Sequence, residues 1–484
     1  MKEKTTKTHV ISNLIWKLLE RGAVQGVQLV IQIILARLLL PSDYGIIAIV
    51  TIFIYIAGVF VQTGFHSALI QKKEIDSTDL SSVFYLSLLI ASMLYIILFF
   101  TAPLIAVYYN ELQLTSIIRI LSITLFFGAV SSIQNSIIAR KMQFKKLFIS
   151  SLIAVIISGT IGVVMAYMGY GIWALVAQQL INQILVTGIL YFTVKWRPQL
   201  LFSLDRIKKL FSFGSKLLIA TLIDTVYNEI RGLIIGKMYN TQTLGYYNRG
   251  RQFPHMIVLN TNGAIQSVMF PVLSAEQNDK QRVKEIVRRS IAASTLIIFP
   301  LMMGLAAVAE PLVIILLTEK WLPSVPFIQI FCASYALWPI HTANLQAINA
   351  LGRSDIFLKL ELVKKIVGTI VLVITMFFGV FAMAFGVLIV GILCTFINAY
   401  PNLKLLGYSY KEQGKDIMPP LLISLLMGAV VYSVSFIGLS SLITLIIQIV
   451  VGVGLYIILT KLFNTKSFNY LVNAMKEMYN SKKN

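Results

Sequence analysis

The strongest constraint on this chain is a succession of apolar stretches, several of them longer than 18 residues. Each is long enough to cross a bilayer as an α-helix. Hydrocarbon offers no partner to a backbone N–H or C=O, so an open segment crosses it as a helix that satisfies its own backbone. The apolar runs predict an all-α polytopic membrane protein with about fourteen transmembrane helices. They lie near residues 14–38, 44–69, 83–108, 114–138, 147–168, 171–194, 215–236, 250–274, 291–317, 325–350, 356–379, 381–406, 417–437 and 441–462. The eleventh and twelfth are separated only by a faint break around Gly379. Composition agrees: 57% of the 484 residues are hydrophobic and 13% are charged, against about one quarter charged in soluble proteins.

A net charge of +21 invites a nucleic-acid reading, but the placement of the basic residues decides against it. Alternate connections hold Lys72 and Lys73; Arg140, Lys141, Lys145 and Lys146; Lys195, Arg197, Arg206, Lys208 and Lys209; Lys280, Arg282, Lys284, Arg288 and Arg289; Arg353 and Lys359; and Lys404, Lys411 and Lys415. The intervening connections, such as Asn110–Leu112 and Gly169–Tyr170, are short and nearly free of positive charge. By the positive-inside rule the basic set faces the cytoplasm. Both termini, with Lys2, Lys4 and Lys7 at one end and Lys466, Lys476, Lys482 and Lys483 at the other, fall on that side, as an even helix count requires. No small-residue cleavage site follows the basic start MKEKTTKTHV, so no removable signal peptide is expected. Cys332 and Cys394 lie inside apolar stretches and imply neither a disulfide framework nor a metal site.

Two segments are expected to lie on the membrane. Leu201–Phe213 sets Leu204, Ile207 and Phe211 against Asp205, Arg206, Lys208 and Lys209, the pattern of an interfacial amphipathic helix. Phe468, Leu471, Met475 and Met478 repeat it more weakly in the tail.

The seventh span, Leu217–Gly236, breaks the apolar rule. Thr221, Asp224/Thr225, Asn228 and Arg231 recur at helical spacing and form one polar stripe, with Glu229 at its border. A charge at the centre of a membrane helix costs roughly 2.5–3.5 kcal/mol on insertion scales, so the stripe must face protein or water. It reads either as a buried ion pair that joins helices or as a ligand-binding wall. Three further spans carry stripes: Lys17, Arg21, Gln25, Gln28 and Gln32 in the first, Thr51, Tyr55, Gln62 and His66 in the second, and Arg251/Gln252, His255, Asn262 and Gln266 in the eighth. Amides offer both donors and acceptors to hydroxyl-rich ligands, and arginines offer fixed forks to phosphate or carboxylate. The competing readings are interhelical hydrogen bonding for the amides, snorkelling for Arg251 and Arg119, and hydrogen-bonded packing for His66, His255 and His341. Glu361, Lys364 and Lys365 either guide a headgroup or anchor their helix.

An internal repeat links these stripes. A shift of 200 residues sets Tyr44-Gly45 over Leu244-Gly245, Gln25 over Thr225, Gln28 over Asn228, Thr51 over Arg251, Tyr55 over His255 and Gln62 over Asn262. Six spans separate the matched units, so the two halves enter the membrane in the same orientation, a common transporter plan. The sequence contains no HExxH, GxSxG or glycine-lysine phosphate loop, so no hydrolytic or nucleotide-driven chemistry is written in it.

The blocks FSFGSKLLIATLIDTVYNEIRGLIIGK (211–237), TLGYYNRGRQF (243–253), QSVMFPVLS (266–274), IIFPLMMGLAAVAEPLVIILLTEKWLPSVP (297–326) and LGRSDIFLKLELVKKI (351–366) resemble Wzx-type polysaccharide flippases. So do ARLLLPSDYGIIA (36–48) and ARKMQFKK (139–146) in the first half. These flippases belong to the MOP superfamily with MATE multidrug exporters and lipid II flippases.

The resemblance implies an N-terminal lobe over 1–200, an amphipathic connector at 201–214, a C-terminal lobe over 215–407, and two added helices with a cytoplasmic tail at 408–484. It implies a cationic cavity lined chiefly by the first, second, seventh and eighth spans. It also implies transport of an undecaprenyl-pyrophosphate-linked oligosaccharide to the outer leaflet of a bacterial inner membrane by alternating access, for O-antigen or capsule synthesis. No enzymatic step or cofactor is implied. The partners expected are the lipid-linked oligosaccharide, membrane lipids, H⁺ or Na⁺ as coupling ion, and other polysaccharide-assembly membrane proteins. The substrate-binding set comprises Arg21, Gln25, Gln28, Tyr55, Gln62, Asn228, Arg231, Arg251, His255 and Asn262. Many relatives carry an acid near the position of Arg231, which leaves Asp224 and Glu229 as the ion-coupling candidates. A MATE-like exporter of organic cations is the alternative, although the stripe arginines favour an anion. A membrane glycan polymerase fits less well, because the outer loops are very short.

Overall fold

The computed structural model describes residues 22–72 and 74–463; Lys17, Arg21 and the proposed amphipathic tail lie outside them. The described residues are helical nearly throughout and divide into two compact units, Met1–Gly245 and Tyr246–Asn484.

The first unit contains α1 (Gly22–Leu38), α2 (Pro41–Gln71), α3 (Ser77–Tyr109), α4 (Gln113–Leu121), α5 (Thr124–Arg140), α6 (Phe144–Tyr167), α7 (Ile172–Thr193) and α8 (Leu204–Met238). α9 (Thr241–Ala275) contains the boundary between the units. The second unit continues with α10 (Lys280–Ala307), α11 (Ala309–Leu317), α12 (Val325–Ala336), α13 (Trp338–Ala350), α14 (Ser354–Thr375), α15 (Val380–Leu406), α16 (Tyr410–Ser433) and α17 (Ser441–Leu462).

Among the described residues, ten helical stretches are long and apolar enough to cross a membrane, which makes this a multi-pass membrane protein. The other four expected spans coincide with the short described part of α1, the charged α8 and α14, and the α12–α13 pair interrupted at Leu337. The predicted break at Gly379 is present: its φ of 108° is open to glycine and strained for other residues, and it ends one helix and starts the next. Pro300 lies inside α10, and the chain breaks at Val308, just before Glu310 and Pro311.

Local chemistry fixes the helix starts at the basic ends. Asp76 and Asp79 form a reciprocal capping box on α3: Asp79 N donates to Asp76 Oδ1 at 2.8 Å and Asp76 N to Asp79 Oδ2 at 3.3 Å. Arg206 of α8 pairs with Asp76, and Lys72 with the buried Asp79 at 2.5 Å. The chain before α8 is docked on α3 as well, because Gln199 N donates to Ser81 Oγ at 3.1 Å and Ser203 N to Ser82 Oγ at 3.0 Å.

The expected amphipathic connector is not a separate helix. It forms the first turns of α8, which runs unbroken for 35 residues, about 52 Å at 1.5 Å per residue. Its buried residues are Ile207 and Leu210, whereas Leu204 and Phe211 are exposed. The apolar face is therefore rotated from the one expected, toward a cluster with Ala68, Leu69, Val83 and Ile133.

Within the first unit α2 packs most extensively on α8, and α6 on α7; in the second, α10 packs on α16 and α14 on α15. Phe100, Leu104, Phe385, Val450 and Ile458 are among the many exposed large apolar residues. An exposed surface this apolar is suited to lipid, not water.

Candidate functional site

The α2–α8 interface is built on small residues. Gly232 and Gly236 are four apart on α8, and a Cβ on either would stand 2.9 Å from the Cδ1 of Ile52 or Ile49 of α2. This GxxxG spacing lets two helices approach closely where no water is available to drive them together. It was present in the text of the seventh span but is overshadowed there by the charges. Farther along, a Cβ on Gly45 would collide with the carbonyl oxygen of Thr241, and one on Gly245 with that of Pro41. Pro41 and Thr241, like Gly45 and Gly245, are 200 residues apart, so the contact is reciprocal between repeat-related positions.

Close packing along one side of α8 fixes the setting of its polar residues. Arg231 is half-buried; its Nε is buried without a hydrogen-bond partner, and it forms no ion pair with Asp224 or Glu229 among the described residues. The internal pair that would make this stripe mere helix glue is thus not formed by Arg231. Asp224 and Asn228 are exposed, and Glu229 is half-buried. The end of α8 is tied down elsewhere: Lys237 donates to Tyr108 O and lies 4.3 Å from the Tyr108 ring centre, while Thr241 Oγ1 donates to Glu111 Oε1 at 3.0 Å. On α2, Tyr55 and Gln62 are exposed, and the Gln62 amide passes over Gly128 of α5, where a Cβ would stand 2.7 Å from its Nε2. On α1, Gln25 is half-buried and Gln28 exposed. Tyr55, Gln62, Asn228 and Arg231 thus belong to one directly packed helix pair, whereas Arg21 lies outside the described residues.

In the second unit Arg251 Nε donates to the Tyr335 hydroxyl at 3.1 Å. His255 lies against the rings of Tyr335 and Trp338 at 5.6 and 5.7 Å, and those two rings are 4.8 Å apart. Phe331 stacks on Tyr335 and meets Tyr247, so an aromatic series from α9, α12 and α13 surrounds the two basic side chains. Asn262 is buried, and its Oδ1 has no partner among the described residues. Sequence reading missed Tyr335 and Trp338, because an aromatic inside an apolar run carries no periodic signal.

Several other polar groups take the structural reading. His66 Nδ1 lies 2.6 Å from Ser136 Oγ and 3.2 Å from Ser132 O; His341 Nε2 lies 2.9 Å from Thr395 Oγ1. Arg119 donates to Phe99 O at 3.2 Å and covers the Phe99 ring. Lys364 pairs with Glu361 at 2.5 Å.

The fold is that of a multi-pass helical membrane protein. It is similar to a solved lipid II flippase MurJ in an inward closed conformation, with a TM-score of 0.74 and 17% identity over 94% of this chain and 98% of that one. A family model described as "Polysaccharide biosynthesis protein" matches residues 34–326, more than half of the chain. The chain belongs to that family. Its curated relatives include the succinoglycan biosynthesis transport protein ExoT of Rhizobium meliloti, 24% identical over 74% of this chain and 73% of ExoT. Another is the lipopolysaccharide biosynthesis protein WzxC of Escherichia coli, 24% identical over 90% of this chain and 89% of WzxC.

Proposed function

We propose that this protein moves a lipid-linked oligosaccharide from the cytoplasmic to the outer leaflet of a bacterial plasma membrane during surface polysaccharide synthesis. Its family and its relatives in succinoglycan and lipopolysaccharide synthesis support the substrate class. The observation that carries the site is Arg231, a half-buried guanidinium on the polar stripe of α8 with no carboxylate paired to it among the described residues. A permanently charged fork in that setting favours an anionic partner.

In this reading the pyrophosphate of a carrier such as undecaprenyl pyrophosphate engages Arg231, with Arg21 and Arg251 as further cations. Gln25, Gln28, Gln62, Asn228 and Asn262 exchange hydrogen bonds with sugar hydroxyls, and Tyr55 and His255 offer flat faces to sugar rings. The prenyl tail stays in lipid. The protein alternates between states that expose these faces to one leaflet at a time, with both termini cytoplasmic. Asp224 and Glu229 take up and release the coupling ion, H⁺ or Na⁺. No bond is made or broken, so the protein acts as a transporter, not an enzyme. By the repeat, the lobes run over 1–200 and 215–407, whereas the compact units divide after Gly245, α8 being packed on α2 of the first unit.

The test is Arg231→Ala at matched membrane abundance. Surface glycan should be lost while the lipid-linked precursor accumulates, and Arg231→Lys should retain part of the activity. Unchanged glycan display would remove Arg231 from the mechanism.

A further inference from the structure

A cavity of about 580 Å³ lies at the basic end of the first unit, where α5 gives way to α6 and α7 ends. Its walls include Arg140, Lys141, Lys146 and Lys195, and no carboxylate lines it among the described residues. Two of the four cations are held by main-chain carbonyls. Arg140 Nη1 donates to Leu69 O at 3.1 Å and Ile70 O at 3.0 Å, and Lys146 Nζ donates to Thr193 O at 3.0 Å. A carbonyl positions a cation without neutralising it. Lys141 and Lys195 are exposed. Four like charges around one cavity repel one another, and an anion placed among them relieves that repulsion.

The helix start at the cavity departs from the usual electrostatics in the same direction. The first turn of α6 contains Lys145 and Lys146 and no acid, and its N-cap residue Gln143, also in the cavity wall, makes no side-chain cap. Helix starts ordinarily favour acidic residues, and their free N–H groups bind anions. Trp196 closes another side. Its indole N–H is buried with no hydrogen-bond partner among the described residues, and its ring meets Phe84 at 6.0 Å. An amphipathic indole of this kind suits the membrane–water interface.

The positive-inside pattern explains why these residues are basic, but not why four of them converge on one cavity. We propose that this cavity is a binding site for the phosphate group of a membrane lipid, held by Lys141, Lys146 and Lys195 with Arg140 behind them. The proposal does not rest on the transport reading; the cavity adjoins the α2 stripe through Ser136, which lines it and bonds His66. Its apolar wall has a consequence for α8. Ile75, Leu80, Ile137 and Trp196 line the cavity and also pack in the cluster that buries Ile207 and Leu210. A lipid bound there rests on the residues that hold the start of α8 in place.

The experiment reads bound lipid by native mass spectrometry and thermal stability in nanodiscs. The intact protein is placed in phosphatidylcholine alone, or with phosphatidylglycerol or a polyprenyl pyrophosphate added; a fourth arm adds inorganic phosphate. The wild type should retain the phosphate-bearing anionic lipid in preference to phosphatidylcholine and be stabilised by it. Lys141→Gln with Lys195→Gln should weaken retention on the order of tenfold, from the attraction each basic residue contributes near an anionic surface. Lys141→Arg with Lys195→Arg should retain it. Equal melting of all variants in phosphatidylcholine guards against misfolding. Which anionic lipid displaces the other identifies the source of the phosphate. Equal retention of phosphatidylcholine, an unaffected glutamine variant, or full stabilisation by inorganic phosphate alone overturns the proposal.

Discussion

Gly45 of α2 meets the main chain of Thr241, the first residue of α9, so closely that no Cβ fits between them. Gly245 meets Pro41 in the same way, 200 residues on, which turns a weak textual repeat into a physical two-way contact. Gly45→Ala places a methyl group against backbone that cannot rotate away. Overpacking ordinarily costs about 1–3 kcal/mol, and this substitution should reach the upper end. The melting temperature should fall clearly, and Gly245→Ala should do the same. Gly188→Ala, with nothing within 4 Å, should leave melting unchanged.

Tyr335 links the second unit's aromatic series to Arg251 through one hydrogen bond. Removing a partner from a half-buried charged donor costs about 1–3 kcal/mol. Tyr335→Phe should therefore destabilise the protein, whereas Tyr335→Phe in an Arg251→Gln background should cost much less. A double-mutant cycle on melting temperature measures that coupling, and additive losses would show that the bond contributes nothing.

Asp76 supplies a pH dependence. The backbone N–H of Asp79 and then the Arg206 guanidinium hold its carboxyl below the ordinary aspartate range. A lowered folded value means the stabilisation is present above the unfolded value and lost as the pH falls through the folded one. Both partners are well exposed, so solvent screening keeps the contribution small. Asp76→Asn should melt slightly lower than wild type above about pH 5, and the gap should close below about pH 4. Hydrogen exchange at the starts of α3 and α8 follows the same contact locally. A gap that widens on acidification would contradict the assignment.

What could be read from the sequence divides along physical lines. Helix positions were legible because bilayer thickness imposes a length on apolar runs, so even the break at Gly379 could be anticipated. The stripe on α8 was legible because a charge in a membrane helix must be accounted for. The partners of these residues were not. Tyr335 reaches Arg251 across 84 positions, and Trp196 closes a cavity with residues from four other segments. Such pairings depend on which helix lies beside which, and the apolar runs say nothing about that. The connector was misjudged for a related reason: only the cluster around Ile207 and Leu210 shows which face of α8 is inward.

The proposed roles of Asp224 and Glu229 in coupling and of Arg231 in recognition make separable predictions. They lie on the same helix as Arg231 but form no ion pair with it among the described residues, so their charges are not consumed in neutralising it. If they carry the coupling ion, Asp224→Asn and Glu229→Gln should leave binding of lipid-linked oligosaccharide within about twofold, since neither faces a like-charged ligand as an attractive group. Transport into an opposing substrate gradient should instead lose its response to an imposed H⁺ or Na⁺ gradient. Arg231→Ala should show the converse, weakened binding with any residual transport still gradient-dependent. Proteoliposomes in which pH and sodium are set independently on each side distinguish the two outcomes. Full gradient response in the Asp224→Asn, Glu229→Gln double variant would place the coupling ion elsewhere in the protein.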